Sequence, residues 1–496
     1  MKKFLLLFLS IGLILTSCKK SDDDLTPPDG IDPEPTANVD VDVQDFMWKA
    51  MNFWYFWQAD VPNLADSKFL NTPEGIEAYT EFLASESDPG VFFDDMLLFN
   101  EDRFSFYSED YKELTQAFSG ISKSNGLEFG LVRFSNSDDL FGYVQYIVPN
   151  SDASTKDISR GELFTGVNGQ TLTIDNYIDL LFGDSDTYTL NMAYLANDII
   201  TSNNKEVELT KLEGLVENPV FLSKTFDISG EKIGYLVYHG FTNEFDEDLN
   251  NAFGAFKAEG VTNLVLDLRY NPGGSVNSAR LLSSMIYGTN TDELFLRQRW
   301  NAKIQGQLSD SQLTDYFGDE TSDGTALNTL NLSKVYIIAT NGSASASELV
   351  MNGLAPYVDV VHIGETTRGK NEFSITMVDD FDGSYIYNPE REANINPDNQ
   401  WAIQPLVGRN ENADGFSDYT SGLTPTIELQ EDLANLGAWG DQNEPLLARA
   451  IQEITGASGK RGFEVQMPAD VMTSSKMFTI LKDNMILDKP LDLKMQ

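Results

Sequence analysis

Between residues 225 and 456 short apolar runs alternate with amphipathic stretches, and this alternation constrains the fold more than any other feature of the chain. The runs 232–241, 262–270, 334–340 and 359–365 read as strands, and 244–260, 275–288 and 347–358 read as helices. A strand that returns to its sheet through a helix runs parallel to its predecessor, because a tight hairpin leaves no room for the crossover. The expected core is therefore α/β, with parallel strands and crossover helices. Reacting groups in such sheets gather at the C-terminal ends of the strands. Two turns of small residues fall at such ends: Asn271-Pro272-Gly273-Gly274, and Gly342-Ser343-Ala344-Ser345-Ala346-Ser347.

The chain ahead of this core has two textures. Phe46, Ala50, Phe53, Trp54 and Trp57 recur at helical spacing and predict a buried helix in a small helical N-terminal domain, 41–117. Lys49, Asn52, Gln58 and Asp60 interrupt that apolar face too often for a membrane span. From 118 to 212 short alternating runs and glycine turns predict a small β domain. After the core, assigned to 213–456, residues 457–496 hold two strand-like runs, 463–467 and 477–481, and read as a C-terminal extension.

The first 17 residues carry Lys2 and Lys3, an apolar run from Phe4 to Leu15 and small residues before Cys18, the pattern of an export signal too short to span a bilayer. Leu15-Thr16-Ser17-Cys18 resembles a bacterial lipobox, in which Cys18 is lipidated and begins the mature chain. Residues 18–40 are polar and proline-rich and read as a disordered tether. The expected location is the cell envelope, as an outer-membrane lipoprotein that is periplasmic or surface-exposed. Cys18 is the only cysteine, which excludes a disulfide framework within the chain and a cysteine-built zinc site. A formal net charge of −43 repels nucleic acid, so no nucleic-acid role is expected, and membrane contact is expected through the lipid anchor alone.

The serine run has a simple reading and a chemical one. Ser345 followed by Glu348 three positions on is a capping box opening the helix 347–358. A serine can also act as a nucleophile, provided a base takes its proton. The two histidines, His239 and His362, both lie inside predicted strands and fit structural positions. A lysine can serve if burial lowers its pKa from ~10.4 to near neutrality, at a cost of about 4 kcal/mol. Lys370, after the strand 359–365 and between Gly369 and Asn371, is such a candidate, with a surface loop lysine as the plain alternative.

Taken together, Asp267-Leu268-Arg269-Tyr270-Asn271-Pro272-Gly273-Gly274, Ser343 to Glu348 and Gly364 to Lys370 resemble the C-terminal processing (tail-specific) proteases of peptidase family S41. The resemblance implies a crotonase/ClpP-like core carrying a PDZ-like β domain and a small helical N-terminal domain. It implies a serine endopeptidase with Ser345 as nucleophile and Lys370 as general base, and no metal or organic cofactor. The amides of Ala346 and of Gly273 or Gly274 would form the oxyanion hole. Gly161-Glu162-Leu163-Phe164-Thr165-Gly166-Val167-Asn168-Gly169 is similar to a late strand and turn of PDZ domains. By that resemblance the amides of Gly126, Leu127, Glu128, Phe129 and Gly130 would receive the C-terminal carboxylate of a polypeptide substrate, added as a strand. The chain departs from the family where a glycine and a glutamine follow the lysine: Asn371 and Ser374 stand there, and Ser374 becomes the candidate for orienting Lys370. Arg368 precedes the Gly-Lys pair as a cation able to depress the lysine pKa. The alternatives are a catalytically silent envelope lipoprotein that keeps the fold and binds peptides, and acyl chemistry of the crotonase type.

Overall fold

The computed structural model describes residues 41–197, 199–456, 463–480, 482–488 and 493. The export segment, Cys18 and the tether lie outside the described residues.

The expected parallel core is present as a six-stranded sheet. Its order is Val220–Ile228, Glu231–Tyr238, Asn263–Asp267, Lys334–Ala339, Asp359–Gly364 and Ile427–Glu428. All neighbours run parallel except the first pair, a hairpin that adds an antiparallel edge strand ahead of the first expected strand, 232–241. Alternation along each strand sends side chains to both faces, and both are covered. Leu264 and Leu266 face the helices Asp246–Glu259, Val276–Tyr287 and Ala346–Leu354, packing in one core with Leu249, Phe253, Ala279, Leu282 and Leu349. Val265 and Ile338 face the helix Pro445–Thr455 through Leu446, Leu447 and Ala450. The first crossover helix ends at Gly260, whose φ of 75° is the left-handed conformation that closes a helix at low steric cost to glycine.

The N-terminal helix Asp42–Trp54 forms where the aromatic spacing predicts it. Its apolar face does not build a separate core. Phe46, Met47, Met51 and Trp54 join the same buried cluster as Leu266, Leu282 and Phe373.

A second mixed sheet crosses the site region in the order Gly274–Ser275, Met485–Ile486, Glu372–Ser374, Leu406–Glu411, Leu294–Trp300, Thr314–Tyr316. The expected β domain is a third sheet built on Leu127–Arg133, Leu140–Ile147, Leu163–Val167, Thr187–Ala196 and Ile199–Thr210, with its own core of Phe129, Val144, Phe164, Leu190 and Met192. Ile121–Ser124 pairs with Leu212–Val216 at its base, so the domain runs slightly past residue 212.

The downstream strands are shifted from expectation. Residues 463–467 are irregular, and Ser475–Phe478 form a 3-10 turn. The strand is Val471–Ser474, which adds antiparallel to Leu127–Arg133. An apolar pattern marks a strand only where a partner edge waits for it, and that edge lies more than 300 residues upstream. Among the described residues no helix is long and apolar enough to cross a membrane.

Candidate active site

The strand Lys334–Ala339 delivers the serine run to the sheet's C-terminal edge, and two of its serines fasten the turn. Ser343 Oγ donates to the carbonyl of Leu268 at 2.7 Å, and Ser347 Oγ to that of Asn271 at 3.0 Å. The amide of Ala344 donates to the same Asn271 carbonyl at 3.1 Å. These bonds tie the serine turn to the Asn271–Gly274 turn on the neighbouring strand. Ser345 between them has φ 63° and ψ −110°, a conformation that costs a side-chain-bearing residue about 1–3 kcal/mol. It is fully buried, and its Oγ has no hydrogen-bond partner. Of the capping box, the half that meets hydrogen-bond geometry is the return one: the Ser345 amide donates to Glu348 Oε2 at 2.8 Å.

Glu348 does more than close a helix turn. Its Oε2 also accepts the Lys370 amide at 2.9 Å, and its Oε1 accepts the Gly369 amide at 2.7 Å and Thr367 Oγ1 at 2.5 Å. Burial pushes the carboxyl of Glu348 up, and these four donors hold it down. One buried carboxylate thus joins the serine turn to the lysine loop.

Lys370 is fully buried, and burial lowers its pKa to about 8. The carboxylates of Asp483, Glu372, Asp102 and Glu348 act in the opposite sense. Arg368 is not what depresses the lysine; it pairs with Asp483 at 3.2 Å. Nor does Ser374 orient it. Ser374 Oγ donates to the carbonyl of Met485 at 3.2 Å and accepts from Gln404 Nε2 at 2.9 Å. The lysine Nζ instead donates to the Asp483 carbonyl and lies 5.2 Å from the ring centre of Phe104. Arg103 Nη2 fastens the loop by donating to the Gly369 carbonyl at 2.5 Å.

Of the two glycines, Gly274 is the one whose amide bonds outside its own turn. The Gly273 amide is held by Asn271 Oδ1 at 2.9 Å, whereas the Gly274 amide donates to the carbonyl of Asn484 at 2.6 Å. Both have positive φ, 109° and 133°, and neither has room for a side chain. A Cβ on Gly273 would stand 2.3 Å from the Asn484 carbonyl oxygen, 2.7 Å from Ser345 Cβ and 3.0 Å from Ser345 Oγ. The serine hydroxyl and the Asn484 carbonyl therefore face the same gap. Ala346 opens the helix Ala346–Leu354, so its amide is among those with no acceptor inside the helix.

Residues 126–130 stand apart from this centre, along the first strand of the β domain. Their amides do not form an open nest for a carboxylate. The Gly126 amide donates to Ser124 Oγ and that of Leu127 to Asn125 Oδ1, both at 3.0 Å, and that of Phe129 to Ser475 Oγ at 2.9 Å. Gly130 lies opposite Ser474. Glu128 is buried there, its carboxyl raised by burial, and a second acid beside a peptide carboxylate would repel it. Both histidines are structural: His239 stacks on Tyr146 at 3.9 Å with burial pushing its pKa well down, and His362 Nε2 lies 3.2 Å from the Ala339 carbonyl.

Behind the glycine turn lies an ionic cluster. Arg269, fully buried, contacts Asp267 at 2.6 Å, Glu444 at 2.8 Å and Glu431 at 3.0 Å. Arg160 of the β domain reaches Glu431 at 2.9 Å, and the Tyr270 hydroxyl donates to the same carboxylate at 2.7 Å. Sequence reasoning saw Glu348 only as a helix cap and did not see Arg103, Phe104, Glu431 or Asp483 at all. The box spacing was the available signal for Glu348; the others have none within their own segments.

Fold and site together define an α/β chain whose parallel strands bring a strained serine and a buried lysine to one carboxylate. It carries a Peptidase family S41 domain, matched over residues 232–409, and ahead of it the Peptidase S41 N-terminal domain, matched over 42–106. The chain is 25% identical over 302 residues to the chloroplastic C-terminal processing peptidase of Tetradesmus obliquus, covering 58% of this chain and 56% of that protein. It is 26% identical over 280 residues to chloroplastic carboxyl-terminal-processing peptidase 3 of Arabidopsis thaliana, covering 53% and 49%. The chain spans about half the length of these curated relatives. Among solved structures, a Bacteroides fragilis NCTC 9343 protein assigned to the S41 proteases superposes with a TM-score of 0.62 at 26% identity, covering 83% of this chain and 97% of that one.

Proposed function

We propose that this chain is a serine endopeptidase that cuts polypeptides with a Ser345–Lys370 dyad. The observation that carries the reading is the shared carboxylate of Glu348, which sets the nucleophile turn and the base loop against each other while leaving Ser345 Oγ unbonded. The unprotonated Lys370 amine takes the serine proton as Oγ attacks a peptide carbonyl, then returns it to the leaving nitrogen. The developing oxyanion is stabilised by the Gly274 amide and by that of Ala346, each such donor contributing about 3 kcal/mol. The β domain is read as a PDZ-like module whose strand-addition edge, beside Leu127–Arg133, is taken in this structure by the chain's own Val471–Ser474. With its loop amides engaged by Ser124 and Asn125, the module suits the backbone of an internal segment better than a free carboxylate. The leader and Cys18 support an envelope lipoprotein.

The test is incubation of the purified protein with an unstructured polypeptide. Cleavage by the wild type, and none by Ser345→Ala or Lys370→Ala, is the expected result. Full activity in either variant removes that residue from the mechanism. Metabolic labelling with a fatty acid, lost in Cys18→Ala, checks the anchor.

A further inference from the structure

The downstream segment does not lie on the surface at random. It follows one track from the β domain into the catalytic gap, and side chains key it at each step. Ser475 Oγ donates to Glu128 Oε2 at 2.5 Å and accepts the Phe129 amide. Lys476 is buried with its Nζ 2.9 Å from Glu217, and Glu128 also attracts its charge. Phe478 stacks on Phe182 with ring centres 3.9 Å apart, and Tyr177 of the same helix, Tyr177–Phe182, meets its edge. The chain then crosses the site. The Asp483 carboxylate pairs with Arg368, and its carbonyl takes the Lys370 Nζ. The Asn484 carbonyl lies on the Gly274 amide, and Met485–Ile486 pair in parallel with Gly274–Ser275. Ser374 holds the Met485 carbonyl, and the Leu487 amide donates to the Ser374 carbonyl at 3.0 Å.

A carbonyl on the proposed oxyanion donor, with the free serine hydroxyl bordering the same space beside Gly273, is where a bond to be cut would sit. We propose that the described residues 471–480 and 482–488 lie in this site as a substrate within the same chain, and that the Asn484–Met485 peptide bond is the one cleaved. The inference rests on the serine-peptidase reading above.

The chemistry closes without another reactant than water. Ser345 Oγ bonds to the Asn484 carbonyl carbon while its proton passes to the unprotonated Nζ of Lys370. The carbonyl oxygen takes the negative charge at the Gly274 amide. As the carbon–nitrogen bond to Met485 breaks, Lys370 gives its proton to that nitrogen, and Asn484 is left as an ester on Ser345. Water hydrolyses the ester, leaving a carboxylate at Asn484 and the serine restored. The Asp483 carbonyl supplies the orienting bond to Lys370 that Ser374 does not make, so the bound segment itself aims the base. Lys476 and Phe478 define the ligand class for the groove: an internal segment with a lysine and an aromatic residue two positions on.

The experiment follows the intact mass of the full purified chain with time, with an unstructured polypeptide present in parallel samples. The expected result is loss of the piece beginning at Met485, at a rate independent of protein concentration, and no loss in Ser345→Ala. Phe478→Ala should slow this cut about fivefold by removing one ring stack, and Met485→Pro should abolish it. A wild-type chain that cuts the added polypeptide but keeps its own 484–485 bond overturns the proposal and leaves the peptidase reading standing. A chain that cuts neither overturns both. Equal loss in Ser345→Ala, or a rate that rises with protein concentration, overturns cleavage within the chain.

Discussion

Ser345 and Lys370 are 25 positions apart in sequence, yet their backbone amides end on the same atom, Oε2 of Glu348, at 2.8 and 2.9 Å. Glu348→Gln replaces one acceptor oxygen with an amide NH2 group that faces other donors. Leaving such groups unpaired in a buried site costs about 2–3 kcal/mol, and misplacing the two reacting groups by a fraction of an ångström lowers kcat on the order of 100-fold. Chemical denaturation and steady-state kinetics on an unstructured polypeptide check both effects.

The Lys370 pKa of about 8 sets a rising pH profile. Only the unprotonated amine accepts the serine proton, so kcat/KM should climb with pH and level off above about 8. Glu372 is one of the charges holding the ammonium form. Glu372→Gln removes that charge, lowers the lysine pKa and moves the rising limb to lower pH. A limb that stays in place excludes Lys370 as the titrating base.

The same burial is a folding cost. A lysine lowered from 10.5 to about 8 opposes folding by about 3 kcal/mol at pH 7, where the unfolded chain binds the proton more tightly. Stability should therefore rise between pH 8 and 10.5 as the unfolded state loses that advantage. Lys370→Met should abolish cleavage yet raise the melting midpoint near pH 7, and the difference from wild type should shrink across the same interval.

Gly273→Ala tests the gap itself. Its methyl group would stand 2.3 Å from the Asn484 carbonyl and 2.7 Å from Ser345 Cβ, on a backbone with φ 109°. Activity should be lost. Because one of the nearest atoms belongs to the bound segment, the variant should also displace residues 482–488, read as faster proteolysis there by an added protease.

Arg269→Met leaves Asp267, Glu431 and Glu444 buried with Arg160, which pairs with Glu431, as the one remaining ion-pair partner among the described residues. Removing one partner of a buried ionic group costs about 3–5 kcal/mol. The loss should appear as a lowered denaturation midpoint, with a fall in activity because the Asn271–Gly274 turn follows directly.

The parallel sheet was legible because its signals are local: each strand and each helix announces itself within its own run, and Gly260 marks an end by its backbone alone. The turns at Gly273–Gly274 and Ser345 were legible only in combination with the Lys370 loop, through the resemblance the three motifs carry, because the serine run alone reads better as a helix cap. What surrounds Lys370 was not. Ser374, four positions on, looked like its partner, but the strand Glu372–Ser374 aims that hydroxyl at Met485 instead. The groups beside the lysine come from Phe104 and Asp483, contacts that no periodicity encodes. The apolar runs at 463–467 and 477–481 misled for the same reason: the edge of Leu127–Arg133 selected Val471–Ser474 by hydrogen bonding and keyed side chains rather than by hydrophobic pattern.

The strand Val471–Ser474 is seated upstream of the residues that cross the site, so along this chain the grip precedes the cut. Cut there, this chain would part into pieces with different fates. The downstream piece would be released, while the upstream piece, still joined to the chain, would keep its seat beside Leu127–Arg133 with its fresh end at Ser345. A polypeptide added from outside would then have to displace that held strand, so one cut per molecule within the chain should precede slower cleavage of other polypeptides.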